Sequence, residues 1–137
     1  MIVPELLAPA GNLEKLKTAL RFGADAVYCG IEQFSLRSSA GNLTLQELSQ
    51  GCELAHSLKK RVYLTLNAFL RPGEEIAARE LLDALLPIPV DAYILADPGL
   101  LHLVRQIDPA DNPNVPLYAF AHLPVHVHVY FSPLFYF

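Results

Sequence analysis

Short apolar runs alternate with longer segments whose apolar residues recur every three or four positions. Glu5-Leu6-Leu7-Ala8 is a short strand, and Pro9-Ala10-Gly11 turns the chain. Asn12 suits a helix N-cap, after which Leu13, Leu16 and Leu20 fall at helical spacing. Gly23 is placed to end that helix in a left-handed conformation. Ala26-Val27-Tyr28-Cys29 predicts a second strand, followed by a longer loop over 31–43. Thr44 with Glu47 forms a capping box for a helix whose apolar face is Leu45, Leu48, Cys52, Ala55 and Leu58. Val62 to Leu66 is the third strand, and its loop holds Asn67 and the turn Arg71-Pro72-Gly73. Ala78, Leu81, Leu82, Leu85 and Leu86 give a third helical stripe, which Pro87 and Pro89 stop. Ala92 to Leu95 is the fourth strand, ending at Asp97, and Pro98 opens a short helix running to about Ile107. Val125-His126-Val127 can begin a fifth strand, within 123–128.

Strands separated by helices imply an α/β fold with a parallel sheet. The sequence holds no GxGxxG and no Walker-type phosphate loop. The expected architecture is therefore the N-terminal half of a (β/α)8 TIM-like barrel, with about four βα units. A closed barrel needs eight strands and about 250 residues, so 137 residues cannot close one alone.

The apolar fraction, 53%, excludes a disordered tail as the whole chain. A net charge of −4 provides no overall basic field for nucleic acid. The charge is unevenly placed: every Asp, Glu, Lys and Arg lies between Glu5 and Asp111. Residues 1–111 therefore read as the partial barrel and 112–137 as an irregular, uncharged, aromatic tail. A membrane span over 119–137 is disfavoured by Pro124, Pro133 and the histidines His122, His126 and His128, so no membrane partner is expected. Two cysteines, Cys29 and Cys52, make neither a disulfide framework nor a four-ligand metal site. With no secretion signal in the opening residues, a cytoplasmic location is expected.

Several motifs occur in a telling order: Glu5 to Asn12, Gly23-Ala24-Asp25-Ala26-Val27-Tyr28, Ser35-Leu36-Arg37, Ala55-His56, Leu66-Asn67, Asp91 to Gly99, and Pro124-Val125-His126. Together they resemble the U-thirty-two peptidase family, the collagenase-like proteases, over residues 4 to about 110 and again briefly near 124–127. The resemblance implies an enzyme of one of two kinds. Better understood members are oxygen-independent hydroxylases of tRNA uridine, ribosomal RNA cytidine or a ubiquinone precursor. They carry an iron–sulfur cluster, and the RNA-modifying ones depend on prephenate. Ser35-Leu36-Arg37 and Asp97-Pro98-Gly99 resemble the tRNA-modifying branch. The family name implies the alternative, a collagenase-like hydrolase of undefined mechanism.

The sequence also departs from the family. After Pro-Val-His-Val the family continues Ser-x-Gln-Ala-Asn, whereas His128 stands at the Ser position here. The cluster cysteines belong to a later part of the family, and Cys29 and Cys52 match none of them. The expectation is a truncated or frame-shifted product, non-family from about His128. Such a chain would be inactive alone and would present an open edge to a partner chain. The cofactors, and RNA as partner, are implied only for the intact protein.

In barrels the chemistry sits at the C-terminal ends of the strands. Asn12 there can help hold an anion or simply cap a helix. Arg37 can grip a carboxylate or phosphate, or be a solvated loop residue. Asn67 can meet a base edge or substrate oxygen, or bond its own turn. Asp97 can act as a base, or cap the following helix. No metal site is expected: His126 and His128 share a strand face but lack further ligands. Cys52 reads as a buried inert thiol, and Cys29 as a thiol near the site without a basic neighbour. Lys59-Lys60-Arg61 reads as a helix C-terminal basic cluster at the far end of the barrel.

Overall fold

The computed structural model describes residues 4–32, 41–66, 68–107 and 117–119. Its elements are β1 (Leu7–Pro9), α1 (Leu13–Arg21), β2 (Ala26–Gly30), α2 (Leu45–Ser57), β3 (Arg61–Leu66), α3 (Glu75–Leu85), β4 (Ala92–Leu95), α4 (Pro98–Ile107) and β5 (Leu117–Ala119). The five strands form one parallel sheet in the order β1-β2-β3-β4-β5, so chain neighbours are also sheet neighbours.

The first two helices start at side-chain caps. The Asn12 Oδ1 accepts the Lys15 N–H at 2.8 Å. The Thr44 hydroxyl accepts the Glu47 N–H at 3.1 Å, and the Glu47 carboxylate accepts the Thr44 N–H at 2.9 Å, completing the box. After α1, Gly23 takes φ +105°, a left-handed conformation open to glycine at no steric cost.

The main core lies on the helix-covered face of the sheet. Val27, Cys29, Val62, Leu64, Leu66 and Leu95 meet Leu16, Leu48, Leu82 and Leu100 in one cluster. Full burial of each such leucine contributes about 1.5–3 kcal/mol. The opposite face carries a smaller cluster, Ala26, Tyr63, Ala92 and Ile94, with no helical residue in it. The helices therefore cover a single face, as sequential parallel strands require when every crossover returns on the same side.

Carboxylates pin the N-terminal edge. The Asp25 N–H donates to the Leu6 carbonyl at 2.9 Å while Asp25 Oδ2 accepts the Leu6 N–H at 2.9 Å. The Asp91 N–H donates to the Val62 carbonyl at 2.8 Å while Asp91 Oδ2 accepts the Val62 N–H, also at 2.8 Å. Each aspartate stands just before an alanine that opens a strand, and each locks that strand to its predecessor. Nearby, Glu5 pairs with Arg61 and accepts the Tyr63 hydroxyl at 2.7 Å.

Three expectations need correction. The first strand runs Leu7–Pro9, two residues later than Glu5, and Pro9, expected in the turn, closes the strand by pairing with Tyr28 in register. Leu86 and Leu58 leave their stripes: each is a C-cap, 54% and 43% exposed. Lys60 and Arg61 follow α2 at the N-terminal edge, as expected, and pair there with Asp25 and Glu5. The stretch before 121, expected irregular, contains β5, paired to β4. The strand expected within 123–128 and the rest of the uncharged tail lie outside the described residues. Among the described residues no helix is long and apolar enough to cross a membrane.

Candidate functional site at the C-terminal edge of the sheet

All strands run the same way, so the segments after β1, β2, β3 and β4 gather at one edge. The first two meet closely. Gly41 has φ +67°, and a Cβ there would lie 2.7 Å from the Gly11 carbonyl oxygen. Glycine is required because backbone, not a movable side chain, fills the space.

Asn12 sits on this edge, exposed, with its Oδ1 engaged by the α1 cap. Asp97 follows β4 and uses both carboxylate oxygens. Oδ1 accepts the Leu100 N–H at 2.9 Å, the N-cap bond of α4. Oδ2 accepts the Leu70 N–H at 3.0 Å, from the segment after β3. One side chain thus ties two neighbouring loops together. Arg37 and Asn67, the other two candidates, lie outside the described residues.

Sequence reasoning missed three features of this edge. The second bond of Asp97 is one, since it crosses between loops 27 positions apart. Phe69 is another: it follows Asn67 in an apolar-looking run yet is 59% exposed. The third is Thr65, which lies beside Gly30 and Ile94 in register, on the helix-free face. Its buried Oγ1 has no hydrogen-bond partner among the described residues. Strand alternation places Thr65 on that face, but only the folded environment shows the orphaned hydroxyl.

Cys29 is not a site thiol. It packs in the helix-side core, and burial pushes its pKa up to about 12. Burial raises Cys52 likewise, to about 12, with Asp91 adding to the effect. Both thiols stay protonated at neutral pH and are poor nucleophiles or ligands. His56, one of the resemblance residues, stands at the opposite edge, where its Nε2 is 2.9 Å from Asp91 Oδ2. Among the described residues no three His, Cys, Asp or Glu gather as a metal-binding group.

The family profile of Peptidase family U32 matches residues 11–116. The chain is 42% identical over 124 residues to tRNA hydroxylation protein P of Helicobacter pylori, covering 90% of this chain and 26% of that protein. It is 40% identical over 107 residues to a protein of Methanocaldococcus jannaschii named uncharacterized protease MJ0090, covering 78% of this chain and 26% of that protein. The solved structure of the U32 peptidase Mk0906 superposes with a TM-score of 0.61 at 15% identity, covering 89% of this chain and 51% of that one. This chain therefore spans about a quarter of the length of these curated relatives. A parallel α/β sheet, an ordered set of matching segments and this degree of identity lead to one assignment: the chain belongs to peptidase family U32.

Proposed function

We propose that this chain forms the first half of a TIM-like barrel in an RNA-hydroxylating protein, acting on a uridine of tRNA. The observation that carries the reading is the 42% identity to a tRNA hydroxylation protein over nine-tenths of the chain. Sheet order and one-sided helices support the half-barrel, because a closed barrel repeats this arrangement. In this reading the C-terminal edge faces substrate. Arg37 grips a carboxylate or phosphate through paired hydrogen bonds, and Asn67 meets a base edge or substrate oxygen. Asn12 and Asp97 fix the loops around them, since the Asp97 carboxylate already holds two backbone N–H groups.

The iron–sulfur cluster that the family resemblance implies does not fit the described residues. The two thiols here are buried and protonated, and no ligand group surrounds them. Its ligands must come from elsewhere in the intact protein, and no step is derived through it. Prephenate, a dicarboxylate, is the type of ligand that Arg37 can hold. The collagenase-like alternative needs an activated nucleophile, a role that neither buried thiol can fill.

The test is to express the intact protein in a host lacking hydroxyuridine and to measure that nucleoside in its tRNA by mass spectrometry. Hydroxyuridine is expected with the wild-type sequence and is expected to fall with Arg37→Ala. No hydroxyuridine from the wild type defeats the reading. Unchanged levels in the variant remove Arg37 from the site. Cleavage of gelatin by the same preparation would favour the hydrolase instead.

A further inference from the structure

We propose that the segment after β3 is a single-stranded RNA contact, with Phe69 as a stacking platform for a nucleobase and Arg71 as a cation for the adjoining phosphate. The choice of RNA as occupant rests on the function proposed above; the placement of the platform rests on the segment's geometry.

Phe69 is 59% exposed on the C-terminal edge. A loose loop could fold such a ring away, but from Leu70 onward this backbone is held. The Leu70 N–H is held by Asp97. The Arg71 N–H donates to Glu74 Oε2 at 2.8 Å, and the Arg71 carbonyl accepts the Glu74 N–H at 3.0 Å. Between them Pro72 and Gly73, the latter at φ +92°, make a turn of the type that demands glycine third. The Gly73 N–H is taken by Glu75 Oε2 at 3.0 Å. Leu70 turns inward against the core, leaving its neighbour Phe69 directed outward.

The surroundings favour a base over an apolar protein face. Leu70 turns inward and the other chain neighbour, Ala68, adds only a methyl group, so no second large apolar side chain adjoins Phe69 in the chain to widen it into a patch. Two positions on, Arg71 is exposed and makes no ion pair among the described residues. An aromatic ring with a free guanidinium nearby is the pairing by which proteins bind single strands: the ring stacks on a base and the cation meets the backbone. Phe22 offers an internal contrast. It is 86% exposed but ends α1 at the opposite edge of the sheet.

The sequence contains no tryptophan, so Phe69→Trp installs a single reporter. The 137-residue chain carrying it is titrated with a short single-stranded oligouridine RNA, following tryptophan emission. Quenching on binding is expected. In parallel, Phe69→Ala is expected to weaken oligouridine binding roughly five- to a hundredfold without lowering Tm. Arg71→Gln should weaken binding and flatten its salt dependence. Phe22→Ala should change nothing. Unquenched emission, equal binding by Phe69→Ala, or no binding by the wild-type chain overturns the proposal. A Tm drop in Phe69→Ala within the intact protein also overturns it, since the ring would then be covered by the rest of the fold. If oligouridine quenches the reporter while the intact protein leaves tRNA unhydroxylated, the reaction proposed above fails and this site stands.

Discussion

At the N-terminal edge of the sheet, acidic side chains close on neighbouring strands. At the C-terminal edge, the corresponding carboxylate closes on loops. Asp25 exchanges two hydrogen bonds with Leu6, just before β1, and Asp91 two with Val62 of β3, which fixes register. Asp97 spends its two oxygens on two different segments, which fixes the relation between loops. The same chemical group therefore builds scaffold at one edge and shapes a surface at the other. In the half-barrel proposed above, such a division would leave one face to support and the other to react.

The comparison breaks first at Asp97. Asp97→Ala removes both an N-cap and a loop tether, for a loss of about 1–3 kcal/mol in urea unfolding. Asp97→Asn keeps a cap of similar quality and should recover most of that stability. If the function proposed above holds, tRNA hydroxylation by the intact protein should follow the same order, with the asparagine variant close to wild type. An asparagine variant that is stable but inactive would show instead that the carboxylate takes part in the chemistry.

Asp91 should give a smaller and purely structural effect. Its removal leaves the Val62 N–H in a part-buried place without its side-chain acceptor and frees His56, for about 1–2 kcal/mol. Below the lowered Tm, the RNA hydroxylation proposed for the intact protein should be unchanged. Loss of that activity with an unaltered Tm would end the division between the two edges.

Much of this architecture is legible locally. The Asn12 cap and the Thr44–Glu47 box depend on residues three apart, and both form as the sequence predicts. The pins are not legible in that way, because each needs the register between two strands. A signal does exist in hindsight: Gly-Ala-Asp-Ala-Val-Tyr and Pro-Val-Asp-Ala-Tyr-Ile both set Asp-Ala at a strand entry. The helical stripes overran at Leu58 and Leu86 because periodicity carries no information on where a helix stops being covered. At the candidate site, the cap role of Asp97 followed from its place before Pro98. Its bond to Leu70, the outward ring of Phe69 and the orphaned hydroxyl of Thr65 depend on contacts between segments distant in sequence.

The smallest effect expected is a pH dependence at Asp25. Its pKa lies below the usual carboxylate value, first through the Leu6 N–H and then through Lys60. A depressed folded pKa gives stability that is present above the unfolded value, near 3.9, and is lost as pH falls through the folded value. Urea unfolding followed from about pH 6 to about pH 2 should therefore lose stability through the acid range, and Asp25→Asn should flatten that slope. Added salt should weaken the share due to Lys60, which is solvent-screened, and spare the share due to the backbone bond. Glu14 is also depressed, by Lys17 on the surface of α1, so Glu14→Gln serves as the control. Its contribution should vanish in salt, because no backbone donor holds it. A slope identical in wild type and Asp25→Asn would mean that the backbone ladder alone joins the first two strands, and that the pin at Asp91 has no energetic counterpart at Asp25.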